Sequence, residues 1–141
     1  MKIVANIIRV IFIAAALLLA QNSAAAVNPN HVTDVFKEIS ACLKSGDVDK
    51  LASRFAATVE LRILATGRTC STDQANILVK EFFSQHKPLN FAMLHVGSKT
   101  NKHYGIGLLT TDNGRFRVTV FLLISSRDSY TIQQLSIDHE D

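Results

Sequence analysis

Hydrophobic positions divide the chain into one short continuous block and a longer periodic region. Val10 to Ala20 (VIFIAAALLLA) is uninterrupted. From Val32 on, apolar residues recur at the spacing of helices or strands. Val32, Val35, Phe36, Ile39, Cys42 and Leu43 share one face of a helix. Asn28 or Asn30 caps its start, Pro29 fits its first turn, and Gly46 ends it. Asp47 caps a second, shorter helix, with Val48, Leu51 and Phe55 along one side.

Thr58 to Leu64 alternates as a strand does. Val59, Leu61 and Ile63 point one way, Glu60 and Arg62 the other. Thr66 to Cys70 reads as a loop. Ser71-Thr72-Asp73-Gln74 matches a capping box, in which Ser71 and Gln74 satisfy each other's backbone N–H groups. The helix it opens buries Ala75, Leu78, Val79 and Phe82, and Pro88 stops it near His86. Four strands follow: Leu89 to Val96, Lys102 to Thr110, Arg115 to Ser125 and Tyr130 to Asp138. Asp112-Asn113-Gly114 is a hairpin turn, with Asn-Gly supplying positive φ angles. A polar turn runs through Arg127-Asp128. Helix, helix, strand, helix and four hairpin-joined strands predict an α+β fold with an antiparallel sheet. A long curved sheet around the third helix makes a half-open cone.

The continuous block reads differently. Lys2 and Arg9 precede it, and Ser23-Ala24-Ala25-Ala26 offers small residues for cleavage, so residues 1–26 read as an export signal. Eleven apolar residues are too few for a membrane-spanning helix, which needs about 20. The expected product is a single domain, Val27 to Asp141, periplasmic or secreted, with no membrane anchor. The first cysteine after the run, Cys42, lies far from the cleavage position, which does not support a lipid-modified N-terminus.

Charge follows the same division. The formal net charge of the chain is +3. Lys2 and Arg9 belong to the leader, and without them basic and acidic residues nearly balance. No block of like charge remains, and nucleic-acid binding needs a basic stripe. Cys42 and Cys70 head for a compartment where disulfides persist. A bond between them would close a loop of about 29 residues, worth roughly 3–4 kcal/mol. Cys42 also lies in phase with Phe36 and Ile39, as a small buried free thiol would.

The element order, carried by particular residues, resembles the nuclear transport factor 2-like (cystatin-like) superfamily. More closely it resembles small exported bacterial proteins of the domain-of-unknown-function family numbered 4783. The residues are Phe36 to Ser40 with Leu43 to Asp47, Val59-Glu60-Leu61, Ala75 to Phe83, Asn113 to Val118, and Tyr130 to Ile137. The family resemblance implies the cone fold and carries no mechanism. The superfamily resemblance implies a pocket between sheet and helices, and pairing of subunits through the sheet.

Few side chains suit chemistry there. His95 alternates with Phe91 and Met93, so an inward face would place it in an apolar pocket as a base or proton shuttle. The same position suits a histidine bonded to backbone. Tyr104 and Tyr130 begin strands and suit either a ligand contact or rim packing. Phe82, Phe91, Met93, His95, Tyr104, Phe116 and Val118 form the expected lining for a small apolar ligand. No H-x-x-x-H, C-x-x-C, G-x-S-x-G or phosphate-binding glycine loop occurs, so no metal or cofactor is expected. Gly105-Ile106-Gly107 sits inside a strand and suits curvature better than phosphate binding. Phe121-Leu122-Leu123-Ile124 must face both sides of a sheet, and a homodimer would cover the outer side. The expected function is a non-catalytic exported binding or interaction domain; the alternative is a small isomerase, dehydratase or hydrolase using His95.

Overall fold

The computed structural model describes residues 29–125 and 129–141. The expected export signal and the expected Arg127-Asp128 turn lie outside the described residues. Helix α1 (Pro29–Ser45) is followed by α2 (Val48–Ala52), β1 (Phe55–Ile63), β2 (Thr66–Ser71) and α3 (Thr72–Gln85). Strands β3 (Pro88–Lys99), β4 (Lys102–Thr111), β5 (Gly114–Ile124) and β6 (Tyr130–His139) complete the chain. The fold is α+β, with the helices against one face of a six-stranded sheet.

Local signals set the helix ends. Gly46 adopts a φ of 75°, and both Gly46 and Asp47 donate their N–H groups to the Cys42 carbonyl. Asp47 caps α2 by accepting from the Lys50 N–H at 3.1 Å. The capping box of α3 is complete: Gln74 N–H donates to Ser71 Oγ at 3.3 Å, and Ser71 N–H to Gln74 Oε1 at 3.2 Å. Of the Asp112-Asn113-Gly114 turn, only Gly114 has positive φ, at 108°. Thr111 Oγ1 closes the turn on the Gly114 carbonyl and accepts from the Asn113 N–H.

Three expectations are corrected. The sheet is mixed, in the order β2-β1-β6-β5-β4-β3, because β1 and β6 run parallel while the other pairs are antiparallel. Alternation specifies which face a residue takes but not the direction of its neighbour. Thr66–Ser71 is an edge strand, not a loop. It buries only Cys70, so it lacks the apolar alternation that marks a strand, and backbone pairing with β1 makes it one. Phe55 leaves the α2 stripe and starts β1, opposite Ile132; Ile132 N–H donates to the Arg54 carbonyl at 2.7 Å. A long-range partner overrode the helical spacing.

The core lies between the helices and one face of the sheet. Val35, Phe36, Ile39 and Leu43 of α1 and Ala75, Val79 and Phe82 of α3 are buried there. They meet Leu109, Phe116, Val118, Val120, Leu122, Ile132, Leu135 and Ile137 from the strands. Phe82 and Phe116 pack edge to face at 5.1 Å. Gly105 and Gly107 lie on this face, and each leaves room for a ring: a Cβ on Gly105 would meet Phe36 Cε1 at 2.8 Å, and one on Gly107 would meet Phe91 Cε2 at 2.8 Å.

Candidate functional site

The residues expected to line one pocket occupy two opposite faces of the sheet. Phe82, Phe91, Phe116 and Val118 are core residues, none more than 7% exposed, and their own packing fills the interior. Met93 packs half-buried at the edge of that core. His95 and Tyr104 are on the other face.

A β-bulge separates them. Met93 pairs with Gly107 and His95 with Ile106, so Leu94 is an extra residue without a partner. The insertion advances the pleat by one residue and turns His95 away from Phe91 and Met93. The expected shared face is thereby corrected. His95 is exposed, and its Nε2 lies 3.3 Å from the Tyr104 hydroxyl.

Around this pair the outer face of β3, β4 and β5 carries an apolar patch. Tyr104 is opposite Phe121 in the ladder, with ring centroids 6.1 Å apart, and Ile106 is opposite Thr119. Leu108 and Leu123 extend the patch along their strands, both half-buried. Tyr104, Ile106, Thr119 and Phe121 floor an open recess of about 730 Å³. Its rim is the β3–β4 turn, with Lys99, Thr100, Asn101 and Lys102. The Phe121–Ile124 run divides as alternation requires: Leu122 is buried, while Phe121 and Leu123 face outward.

The other half of the outer face is polar. Glu60 pairs with Gln134 and Arg62 with Ser136 across the β1–β6 ladder. Arg62 Nε lies 3.4 Å from Asp138 Oδ1. The outer face thus has an apolar half, β3 to β5, and a polar half, β6 to β2.

Cys42 and Cys70 are free and buried. Burial pushes both thiols up from the ordinary value; Lys50 partly offsets this at Cys42, and Arg68 does so at Cys70. Among the described residues, no three His, Cys, Asp or Glu side chains gather as metal ligands. No described helix is long and apolar enough to cross a membrane.

The model of the DUF4783 family, a domain of unknown function, matches residues 36–138. The chain belongs to this family. A DUF4783 protein of Bacteroides uniformis is similar at 30% identity, covering 74% of this chain and 96% of that one, with a TM-score of 0.70. One from Bacteroides ovatus is similar at 28% identity and a TM-score of 0.70, covering 74% and 94%. An NTF-2-like protein of unknown function from Silicibacter pomeroyi shares the fold at 14% identity and a TM-score of 0.57, covering 77% and 92%. No curated protein matches the chain. The DUF4783 domain therefore has the nuclear transport factor 2-like fold that the resemblance implied.

The pairing of Gly97 with Tyr104 was not singled out in the sequence. A glycine inside an alternating strand, two residues after a histidine, is the available signal. Which tyrosine lies across it depends on the hairpin register.

Proposed function

We propose that this DUF4783 domain is an exported interaction module that works as a symmetric dimer, two copies meeting through the apolar half of the outer sheet face. The carrying observation is that Tyr104, Ile106, Leu108, Phe121 and Leu123 lie on one face with no element of the described residues over them, while the interior is filled by its own side chains. The leader pattern in residues 1–26 supports export.

The available area suits this role. Strands sit about 4.8 Å apart and rise about 3.3 Å per residue, so the three strands β3 to β5, of about ten residues each, project roughly 480 Å². Side-chain relief raises the accessible area above that projection. A standard interface buries about 800 Å² per partner. The polar half, with Arg62, Asp138 and Glu60, remains solvated and limits the contact to one register.

Sedimentation analysis of the purified protein tests the reading. The native chain is expected to be a dimer at micromolar concentration, and Phe121→Glu a folded monomer. A native monomer, or a Phe121→Glu dimer, overturns it.

A second reading draws on the 3.3 Å contact between His95 and Tyr104. A histidine beside a phenol can exchange protons with a substrate in the adjoining recess. Against catalysis, His95 is exposed to water and, among the described residues, no carboxylate hydrogen-bonds it. The interaction reading predicts that His95→Ala leaves biological function intact; loss of function in a folded His95→Ala protein favours catalysis.

A further inference from the structure

On the helix side of the sheet, at the end away from the patch, α3 stands over β1 and β2 with a groove between them. Its inner recess, about 250 Å³, is floored by Leu61, Ile63, Leu78 and Phe82, with Leu64 at the mouth. A second recess of about 340 Å³ adjoins it, with Thr69, Gln74 and Ile77 on its walls. Arg68 and Leu78 line both recesses, so the two adjoin along the seam between α3 and β2.

Arg68 is a cation set at an apolar seam. Its register partner is Leu61, which is buried, so the side chain leaves the strand on the helix side. Arg54 holds Glu38, Arg62 holds Asp138 and Arg115 holds Glu140. Among the described residues, Arg68 has neither an ion pair nor a side-chain hydrogen bond. A guanidinium is a five-donor fork that matches a carboxylate in two bonds.

The mouth of the groove is strained. Leu64 and Ala65, the turn between β1 and β2, have φ angles of 48° and 69°. This left-handed region suits glycine or asparagine and opposes bulky side chains. The turn holds Leu64 half-buried against the core and the inner recess. Strain of this kind persists where surrounding contacts enforce it, and it gathers at ligand clamps.

We propose that this groove binds a monocarboxylate with a medium-length apolar chain. The chain lies in the inner recess against Leu61, Ile63 and Phe82, under Leu64. The carboxylate pairs with Arg68 and takes a further hydrogen bond from the Gln74 side-chain amide in the outer recess. Glu81 lines only the inner recess, which sets the direction: the anionic head avoids it. The inner recess, about 250 Å³, has room for a medium-length chain. The groove is separate from the outer sheet face, so the proposal stands independently of dimer formation.

Calorimetric titration of the purified protein with octanoate, 1-octanol and acetate tests it, below any micelle concentration. Octanoate is expected to bind, with octanol and acetate each at least about tenfold weaker, since each lacks one half of the recognition. Arg68→Gln, at an exposed strand position, is expected to remove the preference for octanoate over octanol. Backbone amide shifts on adding octanoate should centre on residues 61–68 and 74–82. Absence of octanoate binding, equal binding of octanoate and octanol, an unchanged preference in Arg68→Gln, or shifts centred on β4 and β5 would each overturn it.

Discussion

Tyr104 lies across Gly97. The two residues are partners in the β3–β4 ladder, and a Cβ on Gly97 would come within 2.9 Å of Tyr104 Cε1 and closer still to the hydroxyl. The missing side chain lets the phenol reach over the edge strand to His95. Gly97→Ala is therefore expected to displace the ring and destabilise the domain by about 1 kcal/mol, at the low end for overpacking because Tyr104 is only half-buried. Urea denaturation measures the loss, and the Tyr104 ring shifts report the displacement.

Gly107 offers a harsher version of the same test. A Cβ there would sit 2.7 Å from the Ala92 carbonyl oxygen, which is backbone and cannot rotate away. Gly107→Ala should cost about 3 kcal/mol, at the upper end for overpacking. Gly67, with nothing within 4 Å of its would-be Cβ, is the control, and Gly67→Ala should be nearly neutral. Equal losses at the two positions would remove the packing explanation.

The Leu64-Ala65 turn should yield to relaxation. Ala65→Gly removes a left-handed penalty at φ 69° and is expected to stabilise by about 1 kcal/mol. The same change loosens the support of Leu64, so octanoate affinity should fall while the melting temperature rises. Parallel thermal and calorimetric measurements separate the two effects.

Both thiols should be inert in the folded protein. Burial raises their pKa values, so at neutral pH the reactive thiolate is scarcer than in an unfolded chain. A disulfide reagent should titrate neither thiol rapidly in native protein and both in denaturant. Rapid native labelling of Cys42 would contradict the packing of α1.

Asp49 ties α2 to α3. It lies 2.7 Å from Lys80 Nζ and accepts from Asn76 Nδ2 at 3.1 Å. The hydrogen bond from Lys80, then that from Asn76, then the charge of Lys80 hold its carboxyl below the ordinary value. A depressed folded value means the contribution is present above the unfolded pKa of about 4 and lost as pH falls through the lower folded one. The group is exposed, so Asp49→Asn should lower the melting temperature slightly at neutral pH and low salt. The difference should fade in acid and at about 1 M salt.

Much of the fold is legible in local pattern. The Ser71–Gln74 capping box, the Gly46 stop and the alternation of β4 and β5 are decisions made within a few residues, where capping bonds and side-chain period act. What escaped the pattern depended on partners distant in sequence. Thr66–Ser71 is a strand because β1 offers it hydrogen bonds, and Phe55 joins β1 because β6 pairs beside it.

The candidate site divides along the same line. Sequence identified Phe82, Phe91, Phe116 and Val118 as apolar and inward, because burial of alternating apolar residues is dictated by the solvent. It could not separate a filled interior from an open one, since that depends on how the volumes of facing side chains sum. The face of His95 turned on one extra residue, Leu94, and a bulge leaves no mark in an alternation read from one strand. Arg68 reads as an ordinary surface charge until the register places it opposite Leu61. The sequence by itself determined the helices, most strands and the family to which the chain belongs. Tertiary structure alone decided the parallel β1–β6 pair, the two-faced split of the expected pocket and the groove beneath Leu64, because each arises where segments far apart in the chain meet.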